Sequence, residues 1–432
     1  MLIKPARTIR GELKLPGDKS ISHRAAMIAS LANGRTAISN YAESADCAST
    51  ISCLRALGVP IERRGTNIFV DGVGRQGLKS PTGPLDCGNS GTTMRLMTGV
   101  LACQSFESEL IGDASLSKRP MKRVIDPMGF MGITVESVDG HAPLHVHGNG
   151  SAAAAEHTLA IASAQIKSCI LLAGLNAAGT TIVNEPTPTR DHTERMLRWF
   201  GSHLTSVAGK ISLRGGQELT ARDLSVPCDI SGAAFFLVAA ASLPGSGLTL
   251  INVGLNPTRT GIIEVLTRLG VDLTIQNERI ECNEPVGDII VRGGTSPLGS
   301  DSNVIDGSLI ANLIDEIPIL AVLGTQLHAG LEVRDAAELR VKESDRITSI
   351  IENLRRMGAA VEEFPDGFRV APSQLTGAPV DSFDDHRIAM AFAVAGLLAR
   401  GDTEIERAEC VDISFPGFFE TLAGVILRGA NS

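Results

Sequence analysis

A lysine or arginine beside a capped helix start makes a seat for phosphate or carboxylate, because free backbone N–H groups, the helix dipole and the side-chain cation all favour negative charge. This chain repeats that combination. Lys19 and Arg24 stand in DKSISHRAAMIASLA from Asp18, Arg95 in NSGTTMRLMTGVLA from Asn89, Lys167 in SAQIKSCILLAGL from Ser163, and His386 with Arg387 in DDHRIAMAFAVAGLLA from Asp384. Loops add Lys118-Arg119-Pro120, Thr189-Arg190-Asp191 and the run from Arg340 to Ile347. Asp315 and Glu316 differ, since they interrupt an apolar run between Leu313-Ile314 and Ile317-Pro318. A carboxylate there must find a cation or hydrogen-bond donors, or change its pKa. Plainer readings stay open at each place. Asp384-Asp385-His386-Arg387 also reads as an N-cap followed by a surface His-Arg pair, and the charges of KESDRI from Lys342 as surface pairing at a helix start.

The elements that must position these residues form a pattern of their own. Amphipathic helical stretches ending in an apolar residue and a glycine recur at Gly58, Gly132, Gly201, Gly270 and Gly358, about 70 to 90 residues apart, as expected of glycine in the left-handed position that ends a helix. Between them lie six almost wholly apolar helices with polar starts, from Asp18, Asn89, Ser163, Asp229, Ser308 and Asp384. A helix apolar on nearly every face must be buried on nearly every face. Short β patterns fill the remainder: NIFVDG, PLHVHG, TTIVNE, LTLINV, DIIVRG and FRVAP. The whole reads as an α/β chain of six units of roughly 70 residues, grouped into two lobes of three. The lobe changes near Pro227-Cys228-Asp229, and the opening strand IKPARTIRGELKL joins the later lobe.

Composition narrows the function classes. With 432 residues, 43% of them hydrophobic, the chain can bury its cores without a metal or disulfide staple. Lys and Arg number 39 against 48 Asp and Glu, and aromatic residues make up 3%, which excludes a general nucleic-acid binder. The chain has no apolar run of membrane-spanning length, and its start, MLIKPARTIR, is charged and carries Pro5, so the protein is expected in the cytoplasm. Eight cysteines without a C-x-x-C pair are expected to be free, mostly buried thiols, with no zinc site. The G-x-G-x-x-G match at Gly72-Val73-Gly74-Arg75-Gln76-Gly77 is set aside because Pro81 and Pro84 follow where a dinucleotide-binding helix would begin. His145 and His147 share a strand face but lack a third ligand nearby.

The assembled stretches resemble the 5-enolpyruvylshikimate-3-phosphate (EPSP) synthase family of enolpyruvyl transferases. They are LPGDKSISHRA from Leu15, GNSGTTMRLM from Gly88, DASLSKRPM from Asp113, SAQIKS from Ser163, PTRDHTERML from Pro188, IDEIPILA from Ile314, ELRVKESDRI from Glu338 and FDDHRIAMAFAV from Phe383, in the family's order. The resemblance implies transfer of the enolpyruvyl group of phosphoenolpyruvate (PEP) to the 5-hydroxyl of shikimate-3-phosphate, with release of phosphate and with neither metal nor organic cofactor. It implies a monomer whose partners are those two small anions, with no nucleic acid and no membrane. The implied fold is a two-lobed inside-out barrel, each lobe holding three βαβαββ units around buried parallel helices. Residues 16–228 make one lobe and 1–15 with 229–432 the other, and the active site lies in the interlobe cleft.

Carried onto this chain, the resemblance makes Lys19, Asp315 and Glu343 the catalytic residues, with Asp315 as base toward the 5-hydroxyl. Shikimate-3-phosphate contacts fall on Lys19, Ser20, Arg24, Ser163, Ala164, Gln165, Arg190, Asp315 and Lys342. PEP contacts fall on Lys19, Gly91, Thr92, Arg119, Gln165, Arg346, His386 and Arg387. Two departures stand out. Asp412-Ile413-Ser414-Phe415-Pro416 lacks the lysine that some members carry there, and Ala164 replaces a second serine. Gly91 is kept where some herbicide-tolerant members have alanine, which implies sensitivity to glyphosate. The sister UDP-N-acetylglucosamine enolpyruvyl transferase is the alternative, but that family has Asn where Ser20 stands and a reactive Cys where Ala114 stands. A non-catalytic anion-binding scaffold is the remaining rival, and intact Lys19, Asp315 and Glu343 argue against it.

Overall fold

The computed structural model describes residues 1–294, 298–300 and 302–427. The chain divides into two compact units, one of Met1–Pro16, Pro227–Arg279 and Pro285–Ser432, the other of Gly17–Val226 with Ile280–Glu284. They are called here the C-terminal and N-terminal units. In both, helices and mixed sheets combine into an α/β fold.

The N-terminal unit holds three four-stranded sheets with one strand order. In the first, Leu224–Ser225 runs parallel to Asn33–Ser39, which pairs antiparallel with Asn67–Val73, itself antiparallel to Ile61–Arg64. Leu85–Asp86, Glu107–Ile111, His141–His147 and Thr134–Val138 repeat the scheme, and so do Glu156–Thr158, Thr180–Asn184, Lys210–Arg214 and Leu204–Val207. The antiparallel pairs at the far edge are hairpins, whereas a parallel pair needs a crossover between its strands. In the C-terminal unit Val304–Ile305, Leu331–Val333, Gly367–Val370 and Val361–Phe364 follow the same order. The opening strand Arg10–Leu13 pairs in parallel with Gly247–Gly254, and Leu2–Ile3 pairs with Thr403–Glu406.

Five of the six apolar stretches form continuous buried helices: Lys19–Ser30, Gly91–Ala102, Ala164–Gly174, Ile230–Ser242 and His386–Leu398. Their caps are Asp18, Ser90, Ser163, Asp229 and Asp385, each side chain accepting from an N–H of the first turn. Glycine makes close approach possible between two of them. A Cβ on Gly99 would lie 2.2 Å from the Cys169 carbonyl, so Gly91–Ala102 and Ala164–Gly174 touch backbone to backbone. The five glycines expected to end amphipathic helices all have positive φ, from 78° at Gly132 to 93° at Gly201.

The sixth stretch departs from expectation. The run from Ser308 is two short helices, Leu309–Leu313 and Ile317–Gly324, separated by a turn at 314–316. Pro318 explains the break, because its ring excludes a preceding helical turn and suits the first turn of a new helix. Asp315 therefore sits on a turn rather than on a helix face. Elsewhere, all eight cysteines are free thiols, and His145 and His147 face Glu109 and Glu107 at 3.6 and 3.2 Å. No helix follows Gly77 before the Leu85–Asp86 strand. Among the described residues no helix is long and apolar enough to cross a membrane.

Candidate active site

In the N-terminal unit the capped helix starts gather most of the expected residues. Lys19 and Ser20 open the first helix, and Lys19 Nζ lies 2.9 Å from Asp46 Oδ2. One turn on, the buried Arg24 donates from Nε to Thr193 Oγ1 at 2.7 Å, from Nη2 to Ser168 Oγ at 2.8 Å and from Nη1 to the Ser20 carbonyl at 2.9 Å. Gly91 and Thr92 open the second core helix, and Ser163 caps the third, which begins Ala164-Gln165. Gln165 joins the two, donating to Thr92 Oγ1 at 2.9 Å and accepting from Arg95 Nη1 at 2.5 Å. Arg119 follows the short turn Leu116–Lys118 and donates to Asn89 Oδ1 at 2.6 Å. A Cβ placed on Gly91 would lie 3.2 Å from Arg95 Nη1 and 3.4 Å from Arg119 Nη1, so both guanidinium groups face the bare helix start. Arg190 stands just ahead of the helix His192–Trp199.

An unforeseen chain of small hydrogen bonds fixes these helix starts. His23 Nδ1 lies 2.6 Å from Thr50 Oγ1, which lies 2.7 Å from Thr93 Oγ1, and Thr93 donates to Ser90 Oγ at 2.8 Å. Burial, then the neighbouring charges of Lys19 and Arg24, hold the His23 pKa well below 6.5, so the imidazole stays neutral and serves as a spacer. Periodicity marked His23 only as one more buried position.

The C-terminal unit assembles the others around Arg346. Its side chain is 1% exposed, with Nη1 3.3 Å from Asp315 Oδ1, Nη2 2.6 Å from Glu343 Oε2 and Nε 2.7 Å from Asp385 Oδ2. Burial opposes its charge, yet Asp385, then Glu343 and Asp315, outweigh that cost and raise its pKa further. Arg387 reaches the same turn, donating to the Asp315 carbonyl at 3.1 Å with Nη2 3.5 Å from Asp315 Oδ2. Lys342 lies in the same field: removal of water from its ammonium group lowers its pKa, while Asp315 and Glu338 pull the other way. Surface pairing is thereby overturned for both motifs, since His386 is 2% and Arg387 7% exposed and Arg346 is buried among carboxylates. Asp385, read as one of two capping acids, is the pivot: it caps its helix at the Arg387 N–H and binds Arg346. At the departure near the C-terminus, Ile413 packs on the apolar core beside Phe415, so that position is used for packing.

Comparison with known proteins fits this arrangement to a class. The sequence pattern of EPSP synthase (3-phosphoshikimate 1-carboxyvinyltransferase) matches residues 3–422. A 3-phosphoshikimate 1-carboxyvinyltransferase of Solibacter usitatus is 49% identical over 97% of this chain and 98% of its own, and one of Geobacter sp. is 48% identical over 99% of both. Fold and sequence thus define a group-transfer enzyme. A solved EPSP synthase from Acinetobacter baumannii superposes with a TM-score of 0.88 at 42% identity, covering 99% of this chain and 98% of that one. The chain belongs to the EPSP synthase family.

Proposed function

We propose that the two clusters act on a single pair of substrates, shikimate-3-phosphate and PEP, and that each compact unit is a functional lobe of three βαβαββ repeats, together an inside-out barrel. Lys19, Ser20, Arg24, Ser163, Ala164, Gln165, Arg190, Asp315 and Lys342 take shikimate-3-phosphate. Gly91, Thr92, Arg119, Arg346, His386 and Arg387 take PEP, with Lys19 and Gln165 shared. Guanidinium groups suit both ends of PEP because they bind carboxylate and phosphate with two parallel hydrogen bonds.

The 5-hydroxyl oxygen adds to C2 of PEP while C3 gains a proton, giving a tetrahedral intermediate that carries the phosphate on C2. Loss of a C3 proton and of that phosphate restores the double bond and leaves the enol ether. Asp315 takes the hydroxyl proton, Glu343 and Lys19 carry the proton to and from C3, and the arginines stabilise the departing phosphate. The observation that supports this best is the Arg346 centre, where Asp315 and Glu343 are held by one guanidinium at 3.3 and 2.6 Å, an acid-base pair on one small site.

Phosphate release tests the reading: it should require PEP and shikimate-3-phosphate together. Release with UDP-N-acetylglucosamine in place of shikimate-3-phosphate would transfer the chain to the sister activity. The enzyme is proposed to work as a cytoplasmic monomer, which light scattering checks against the chain mass of 45.3 kDa.

A further inference from the structure

Lys167 has no role in that reaction, yet it is surrounded by charge. It lies fully buried in the helix Ala164–Gly174, with Nζ 2.8 Å from Glu185 Oε2, 2.7 Å from Glu194 Oε1 and 3.4 Å from the Thr189 carbonyl. Glu185 also accepts from the Thr189 hydroxyl. The two glutamates are 9% and 2% exposed, and burial raises the Glu194 pKa against the pull of Lys167. Stability alone gives little reason for such a cluster, since apolar residues of similar volume often serve as well or better.

The reason lies one residue away on each helix. Ser168 follows Lys167 and Thr193 precedes Glu194, and their hydroxyls are 2.6 Å apart. Ser168 donates to the Ala164 carbonyl at 2.6 Å, so the Thr193 hydrogen must point at Ser168. Both oxygens are then left as acceptors, and Arg24 donates to each. The ion pair Lys167–Glu194 and the hydroxyl pair Ser168–Thr193 are parallel ties between the helices Ala164–Gly174 and His192–Trp199. The first sets their separation and the second passes it to Arg24. Through Glu185 and Thr189, Lys167 also holds the segment leading to Arg190.

We propose that Lys167 is a positioning residue: held by Glu185 and Glu194, it fixes the Ser168–Thr193 seat of Arg24 and so sets the affinity for shikimate-3-phosphate. This rests on the assignment of Arg24 to that substrate. The test is calorimetric titration of shikimate-3-phosphate into wild type, Lys167→Met and the triple variant K167M/E185Q/E194Q, with steady-state kinetics beside it. The dissociation constant is expected to rise about tenfold in both variants, while the KM for PEP and kcat at saturation stay within about twofold. The triple variant strands no buried charge, so it answers the question if K167M does not fold. In an S168A/T193V background, where the seat is already gone, the tenfold step should vanish. A dissociation constant unchanged in a folded variant overturns the inference, and so does a loss spread evenly over both substrates and kcat. Wild-type protein that binds no shikimate-3-phosphate overturns the functional reading first, before any variant is compared.

Discussion

The two clusters are built from the same cations but with opposite company. In the N-terminal unit, neutral oxygens hold the guanidinium groups: Thr193, Ser168 and a carbonyl for Arg24, Gln165 for Arg95, Asn89 for Arg119. Lys19 is the exception in that cluster, paired with Asp46 at 2.9 Å. In the C-terminal unit, Asp315, Glu343 and Asp385 surround one buried arginine. There the cation holds carboxylates in place, and the carboxylates can exchange protons. We propose that the first arrangement serves mainly anion capture and the second mainly proton transfer, with Lys19 sharing in the proton transfer and Lys342, Arg346 and Arg387 in anion binding.

The largest effect should come from the acid-base side. Asp315→Asn removes the proposed base while keeping the shape of the turn, and kcat should fall by about 10³-fold. Binding of shikimate-3-phosphate should change little, and rapid-quench turnover with parallel calorimetry separates the two. Near-normal turnover in that variant would break the division of labour outright. Arg24→Ala makes the complementary cut. Losing a charged donor from a buried anion seat should weaken shikimate-3-phosphate binding by about 100-fold, with kcat at saturation preserved within about threefold. A fall in kcat as large as the fall in affinity would show that Arg24 shares in the chemistry.

Much of the division was legible in the sequence, for uneven reasons. Buried helices advertise themselves, because a helix apolar on every face has one destination, and the glycine ends follow from backbone sterics. The break at 314–316 was encoded in Pro318, but the apolar run around it masked the signal. Burial of Arg346 and Arg387 was not legible from local charge spacing, since i,i+3 pairs look alike on a surface and in a core. What buries Arg346 is Asp385, 39 residues away in sequence, together with Asp315 from a third segment. The hydroxyl seat of Arg24 was invisible for the same reason: serine and threonine within apolar helices carry no pattern, and tertiary contacts alone pair Ser168 with Thr193.

A smaller perturbation sharpens the picture of the anion side. Gly91→Ala places a methyl group 3.2 Å from Arg95 Nη1 and 3.4 Å from Arg119 Nη1. Both neighbours are the far ends of flexible side chains, so they yield by a few tenths of an ångström and the fold is kept. The KM for PEP should rise about fivefold, with kcat within about twofold and no loss of thermal stability. If shikimate-3-phosphate binding weakens and PEP binding does not, the helix start at Gly91 belongs to the other substrate.

The mildest test uses pH and reaches Lys342 in the C-terminal cluster. Loss of hydration lowers the Lys342 pKa below its ordinary 10.5, with Asp315 and Glu338 limiting the shift. Shikimate-3-phosphate affinity that depends on charged Lys342 is therefore complete at lower pH and declines as pH rises through the lowered value. Folding stability responds in the opposite direction. Between the folded and unfolded pKa values the unfolded lysine keeps a proton that the folded one has lost, so this group makes the protein more stable as pH rises. A decline in affinity that accompanies rising stability cannot come from unfolding, which sets the titration of one ammonium group apart from general alkaline damage. In Lys342→Arg the alkaline decline should disappear, because a guanidinium keeps its proton throughout the range. An identical decline in that variant would place the titrating group elsewhere than Lys342.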